Sequence, residues 1–207
     1  MIILKYELDF MGIDENTMDA DAICFRYYDN SMGRFMVGVY DGGTKIYGEQ
    51  LTRHLNKYYF NNGNKPIIDF VICSHPDKDH ASGLSEILNN FQVSYLIMNR
   101  PWFFINELYQ YVSDGRITKT SLEKQLKEKY QYIAELEVIA NEKGIKIYDG
   151  FQGTKLGEHL RILSPSKELY ISLLVESEKT PLGEAAFSGN LFSKAKTIAT
   201  NLIESLT

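Results

Sequence analysis

Only two cysteines occur in the 207 residues, Cys24 and Cys73, and both sit in apolar, strand-like runs. That excludes a disulfide framework and points to buried free thiols in a reducing, cytoplasmic setting. No apolar stretch reaches the roughly 18 residues that a membrane helix needs. The first ten residues carry Lys5, Glu7 and Asp9, so they do not read as a targeting segment. Basic residues are outnumbered, with 22 Lys and Arg against 27 Asp and Glu, and the formal net charge is −5. A strongly basic nucleic-acid binder is thereby disfavoured, and a local basic cleft is all that the balance leaves open. Internal repeats and low-complexity linkers are also lacking. What remains is ordinary globular composition, 44% hydrophobic and 24% charged, with enough chain for a sizeable core.

The first third predicts strands. Met1–Phe10 alternates apolar and charged residues, and Ala20–Tyr28 and Phe35–Tyr40 are rich in aromatic and β-branched types. The turn residues Asp29 to Gly33 make the latter two a hairpin. Asp41-Gly42-Gly43-Thr44 ends a strand and opens a helix to about Phe60, closed by Asn61 to Asn64. The double glycine is read as a tight turn in preference to a phosphate cradle. Ile67–Cys73 is a nearly continuous apolar run, the mark of a strand buried on both faces. A short helix follows with Leu84, Ile87, Leu88 and Phe91 on one face, then a buried strand over Val93–Met98. Residues 102–143 read as a helical insert. Thr120 and Glu123 form its expected capping box, Leu122, Leu126, Tyr130, Ile133 and Leu136 its stripe, and Gly144 its stop. Short strands at Ile145–Tyr148 and His159–Leu163, a helix from about Ser166 and a closing stripe from Leu191 to Leu206 complete the reading.

One stretch carries chemistry. In Ser74-His75-Pro76-Asp77-Lys78-Asp79-His80-Ala81-Ser82-Gly83, two histidines and two aspartates fall within six residues, directly after the most buried strand. Borderline cations such as zinc take imidazole and carboxylate ligands. In an extended loop, positions two apart point the same way, so His75 and Asp77 can reach one ion, and Asp79 and His80 face a second beside it. An EF-hand calcium loop does not fit, since Ser82 stands where glycine is required.

This motif resembles that of the metallo-β-lactamase fold superfamily in its H-x-D-x-D-H form. The nearest flavour is the hydrolase domain of DNA-uptake competence proteins. DADAICFRYY and VYDGG resemble that family's early strands and the Asp-x-Gly turn under its metal site, and LRILSP its strand-Pro segment. The resemblance implies an α/β (α+β) fold, the N-terminal half to two-thirds of an αββα sandwich, as one domain over 1–207 with the insert at 102–143. It implies two zinc ions, with manganese as the other candidate. His75 and Asp77 would serve the first ion and Asp79 and His80 the second. Asp79 would also be the catalytic residue that orients the attacking water, and Asp41 would orient a ligand from behind. The implied activity is hydrolysis of a phosphodiester or ester-like bond, in a small molecule or nucleic acid, by a metal-bound hydroxide. Family members continue with a Thr-Gly-Asp segment and a later His. Neither follows the motif in these 207 residues, and the domain is expected to be incomplete at its C-terminus. The alternative expectation is a non-catalytic half-domain, its exposed sheet covered by a partner chain or by a further copy.

Other polar residues take blander readings. His159 is expected on a half-buried or surface strand, and His54 facing solvent beside Arg53. Asp19 and Asp21 mark a solvated strand entrance. Trp102, Phe103 and Phe104 form either a substrate wall or packing for the insert. Lys124 to Lys129 is a charged helix face.

Overall fold

The computed structural model describes residues 6–11, 21–60 and 67–182. The start of the first strand, Asp19, Ala20, the Asn61 to Asn64 helix end and the Leu191 to Leu206 stripe lie outside the described residues. The chain divides into two compact units, 1–99 with 131–162, and 100–130 with 163–207.

The first unit is built on a six-stranded mixed sheet in the order of the sequence. Strands β1 (Tyr6–Phe10), β2 (Ala22–Asp29) and β3 (Arg34–Gly42) are antiparallel; β4 (Ile67–Ile72), β5 (Gln92–Ile97) and β6 (Lys146–Tyr148) continue parallel to β3. The mixed α/β class expected from the sequence is the class observed. The β2–β3 hairpin closes as its turn residues predict. Asp29 accepts from the Ser31 hydroxyl and the Met32 amide, and Gly33 takes a φ of 64°. The Ser31 bond, ahead of the backbone amides, holds the Asp29 carboxyl below its ordinary range. The continuous apolar run becomes β4, buried apart from Ile67. Its one charge, Asp69, is buried against Arg34 at 2.6 Å and also accepts from the Val37 amide.

Helix α1 (Lys45–Tyr58), the short α2 (Lys78–Ala81) and α3 (Leu84–Asn90) cross between the parallel strands, and α1 packs on α3. Leu51, Leu55, Leu84, Ile87 and Leu88 are buried in that layer. Helix α6 (Gln131–Lys143) joins α3, where the Lys143 ammonium donates to the last carbonyls, Leu88 and Asn89, at 2.8 Å each.

The opposite sheet face follows from the register. Tyr6, Leu8 and Phe10 stand opposite Tyr27, Phe25 and Ile23, and the row continues through Met36, Phe70, Ile72 and Ile97. Leu156, Leu160 and Ile162, from the small hairpin of β7 (Lys155–Leu156) and β8 (Leu160–Arg161), cover part of it. The final short strand expected in the sequence thus pairs with β7, not with the main sheet. Tyr6, Leu8 and Phe10 are exposed.

The second unit is helical: a 3-10 turn at Pro101–Phe104, α4 (Ile105–Tyr109), α5 (Lys119–Lys129) and α7 (Lys167–Glu176). The segment expected as one insert, 102–143, therefore spans both units. Its apolar stripe is buried as predicted, but it breaks at Tyr130, whose ψ of 44° leaves the helical basin. The capping box also differs from the expected Thr120–Glu123 pair. Thr118 is the cap, with its hydroxyl accepting from the Ser121 amide while the Ser121 hydroxyl accepts from the Thr118 amide. Serine replaces the longer acid because its hydroxyl already reaches the cap amide. Trp102 and Phe104 are buried, and Phe103 is exposed.

Three glycines bring backbones together in the first unit. A Cβ on Gly83 would meet the carbonyls of Gly42 and Thr44, one on Gly48 the carbonyl of Gly83, and one on Gly42 the backbone of Leu84. The Gly83 amide also donates to the Gly43 carbonyl at 2.8 Å. The obstacles are main-chain atoms, which have no rotamer to yield. Gly83→Ala is expected to lower stability by about 3 kcal/mol, the upper part of the overpacking range, read as an earlier urea midpoint.

Candidate metal centre

The motif loop leaves β4 at its carboxyl end, beside the carboxyl end of the parallel strand β3, where open α/β sheets place their ligands. Asp41, near the end of β3, is the hub. It is buried, and its φ of 54° puts a non-glycine residue in the left-handed region. Gly43 follows with a φ of 63°, so the expected tight turn is what forms.

The Ser74 amide donates to Asp41 Oδ1 at 2.8 Å, and the Ser74 hydroxyl donates to Oδ2. His80 Nδ1 lies 3.1 Å from the same Oδ2, and His75 Nδ1 lies 2.8 Å from the Ser74 hydroxyl oxygen. These contacts assign the tautomers. An ionised carboxylate only accepts, so His80 must carry its proton on Nδ1. The Ser74 hydroxyl proton is committed to Asp41, so the hydroxyl oxygen accepts from His75 Nδ1–H. In the neutral form each ring then presents a lone pair on Nε2. Their centroids are 3.8 Å apart at a tilt of 50°.

Each Nε2 faces a carboxylate. His75 Nε2 is 3.9 Å from Asp77 Oδ2, and His80 Nε2 is 3.6 Å from Asp79 Oδ2. Both gaps exceed hydrogen-bond length. A tetrahedral zinc with bonds of about 2.0–2.2 Å separates two such ligand atoms by about 3.4 Å. Each gap is near that spacing, but among the described residues neither Asp77 nor Asp79 belongs to a group of three such donors within ligand range. The His75, Asp77 and Asp79 side chains keep 42%, 45% and 37% of their surface, so the donors are reachable from solvent, and His80 is more enclosed at 15%.

Asp41 lies within ligand range of His75 and His80, but its oxygens are engaged by Ser74 and His80. These bonds fix the His80 ring directly and the His75 ring through Ser74. Cys73 is buried beside the loop and donates to the His75 carbonyl at 3.2 Å. Burial, and secondarily Asp41, pushes its thiol well above the ordinary range.

Sequence reasoning did not single out Ser74, which gives no periodic or ligand signal, because its partner Asp41 is 33 residues away in the chain. Asp21 is largely exposed, as a solvated strand entrance should be, yet its Oδ2 is 3.8 Å from His80 Nδ1. His159 is half-buried beside Glu158, with its ring edge-on to Tyr27. His54 does not face solvent. It is half-buried, with Nε2 2.8 Å from Asp9 Oδ2, because α1 packs on β2 and His54 reaches from it to the neighbouring β1.

Asp41→Ala removes the acceptor that fixes both rings. Affinity for zinc, measured by isothermal titration calorimetry, is expected to fall about 10- to 100-fold, as for other groups that orient metal ligands. No protein-family model matches the chain and no curated protein matches it, so the role of the site has to be argued from its own donors.

Proposed function

We propose that the chain is a metal-dependent hydrolase of the metallo-β-lactamase kind, acting on a phosphodiester or ester-like bond. The observation that carries this reading is the approach of each Nε2 to a carboxylate, at 3.9 Å for His75 and Asp77 and 3.6 Å for His80 and Asp79. These residues would hold two zinc or manganese ions. Bound there, such ions polarise the scissile bond and lower the pKa of a water.

The residues supply position and proton handling. Asp41 restrains the His80 ring directly and the His75 ring through Ser74, so little ring reorganisation is needed when a ligand arrives. Asp79 sits at the open side with more than a third of its surface free. There its carboxylate can accept a hydrogen bond from a water, orient it and take its proton. Asp21, Asp41, Asp77 and Asp79 surround the rings with negative charge. A phosphodiester anion is repelled by that field until cations neutralise it, which orders binding as cation first and substrate second.

A second reading is favoured by one observation, the exposed apolar row Tyr6, Leu8 and Phe10 on a sheet face that the β7–β8 hairpin covers only in part. On that reading the chain is a non-catalytic half-domain whose open face meets a partner chain. Among the described residues no helix is long and apolar enough to cross a membrane.

The test is hydrolysis of a chromogenic phosphodiester by the metal-loaded chain. Asp79→Ala is expected to lower kcat at least about 100-fold, the usual contribution of a positioned acid–base group, with zinc affinity also weakened. Chelation should abolish turnover and manganese or zinc restore it. Turnover that survives both Asp79→Ala and chelation would remove the hydrolase reading. Cation binding without any turnover would favour the half-domain.

A further inference from the structure

A different cluster lies on the helix-covered face of the same sheet. Asp9 and Cys24 are direct cross-strand partners on β1 and β2, so their side chains project to the same side. From α1, His54 closes over them. Donor atoms of Asp9, Cys24 and His54 all lie within 4.8 Å of one another. His54 Nε2 is hydrogen-bonded to Asp9 Oδ2 at 2.8 Å, a contact that a bound ion would have to open and replace, and the Tyr59 hydroxyl donates to that oxygen at 3.2 Å. Cys24 has no exposed surface and forms the floor, while the Asp9 and His54 side chains keep 29% and 23% at the rim.

We propose that Asp9, Cys24 and His54 form a second cation site, suited to zinc, that ties the edge strand β1 and its neighbour β2 to α1. The donor set decides the class of ion. One sulfur, one imidazole nitrogen and one carboxylate oxygen suit zinc or cobalt, whereas magnesium and calcium prefer oxygen alone. Charge argues the same way, because a thiolate and a carboxylate neutralise a divalent ion in a half-buried place. In the absence of an ion the thiol stays protonated, since burial above all, with Asp9 adding, pushes it up to about 11. A cation reverses that preference: on coordination the sulfur gives its proton to solvent, and affinity falls as pH falls. Tyr59 supports the site from behind through its bond to Asp9, and water completes the coordination at the rim.

This site is independent of the His75–His80 loop and is tested with that loop disabled. The full chain carrying His75→Ala and His80→Ala is titrated with cobalt(II) and then with zinc. The expected result is one cobalt per chain with a sulfur-to-cobalt charge-transfer band in the near ultraviolet, erased by zinc. The band should be lost in Cys24→Ser and kept in Cys73→Ser. Should Cys24→Ser fail to fold, His54→Gln decides: affinity for cobalt reduced at least about tenfold supports the site, and unchanged affinity overturns it. A folded chain with no charge-transfer band overturns it as well, as does a band that survives Cys24→Ser or disappears with Cys73→Ser.

Discussion

The motif loop depends on one buried carboxylate. Asp41 accepts from a backbone amide, a hydroxyl and an imidazole, all supplied by the segment that follows β4. To do so it holds a left-handed backbone conformation that a non-glycine residue adopts at a cost of about 1–3 kcal/mol. The conformation lets the chain end β3, turn through Gly43 and enter α1 without moving the carboxylate away from the neighbouring parallel strand. A side chain that lies outside the H-x-D-x-D-H motif thus sets the direction in which both motif histidines present their lone pairs.

The two faces of the sheet serve different ends. One is closed by α1, α3 and α6 around Leu51, Leu55, Leu84, Ile87 and Leu88. The other is an apolar row that begins exposed at Tyr6, Leu8 and Phe10 and becomes covered towards Leu156. The candidate metal loop sits at the strand ends, between these two environments. The polar residues of β1 point to the helix side, where Glu7 pairs with Arg26 and Asp9 with His54. The strict alternation of β1 is therefore used on both sides, for charge pairing and for apolar surface.

Much of this was legible in the chain. The run Ile67–Cys73 could only be a doubly buried strand, and its one aspartate does not spoil the reading because Arg34 meets it at 2.6 Å. The β2–β3 hairpin and the Asp41 turn were readable because turn chemistry is a local rule. What was not legible depends on tertiary neighbours. Nothing in the period of α1 says that His54 meets β1, since the partner, Asp9, is 45 residues away in the chain. The break at Tyr130 interrupts an apolar stripe that continues in register on both sides, so periodicity alone reads through it. The shift of the capping box from Thr120 to Thr118 reflects two residues of nearly equal capping strength, between which only the backbone decides.

The contact among Gly42, Gly48 and Gly83 has a consequence for how such a site diversifies. The strand end, the helix and the loop touch through main-chain atoms, so none of the three can accept a side chain without separating the others. Side chains are barred from the floor beneath the histidines, and the room for change lies at the margin, at positions such as Asp21 whose side chain reaches solvent. A lineage built on this frame would change what it accepts by altering that margin, while the glycine seam beneath stayed the same.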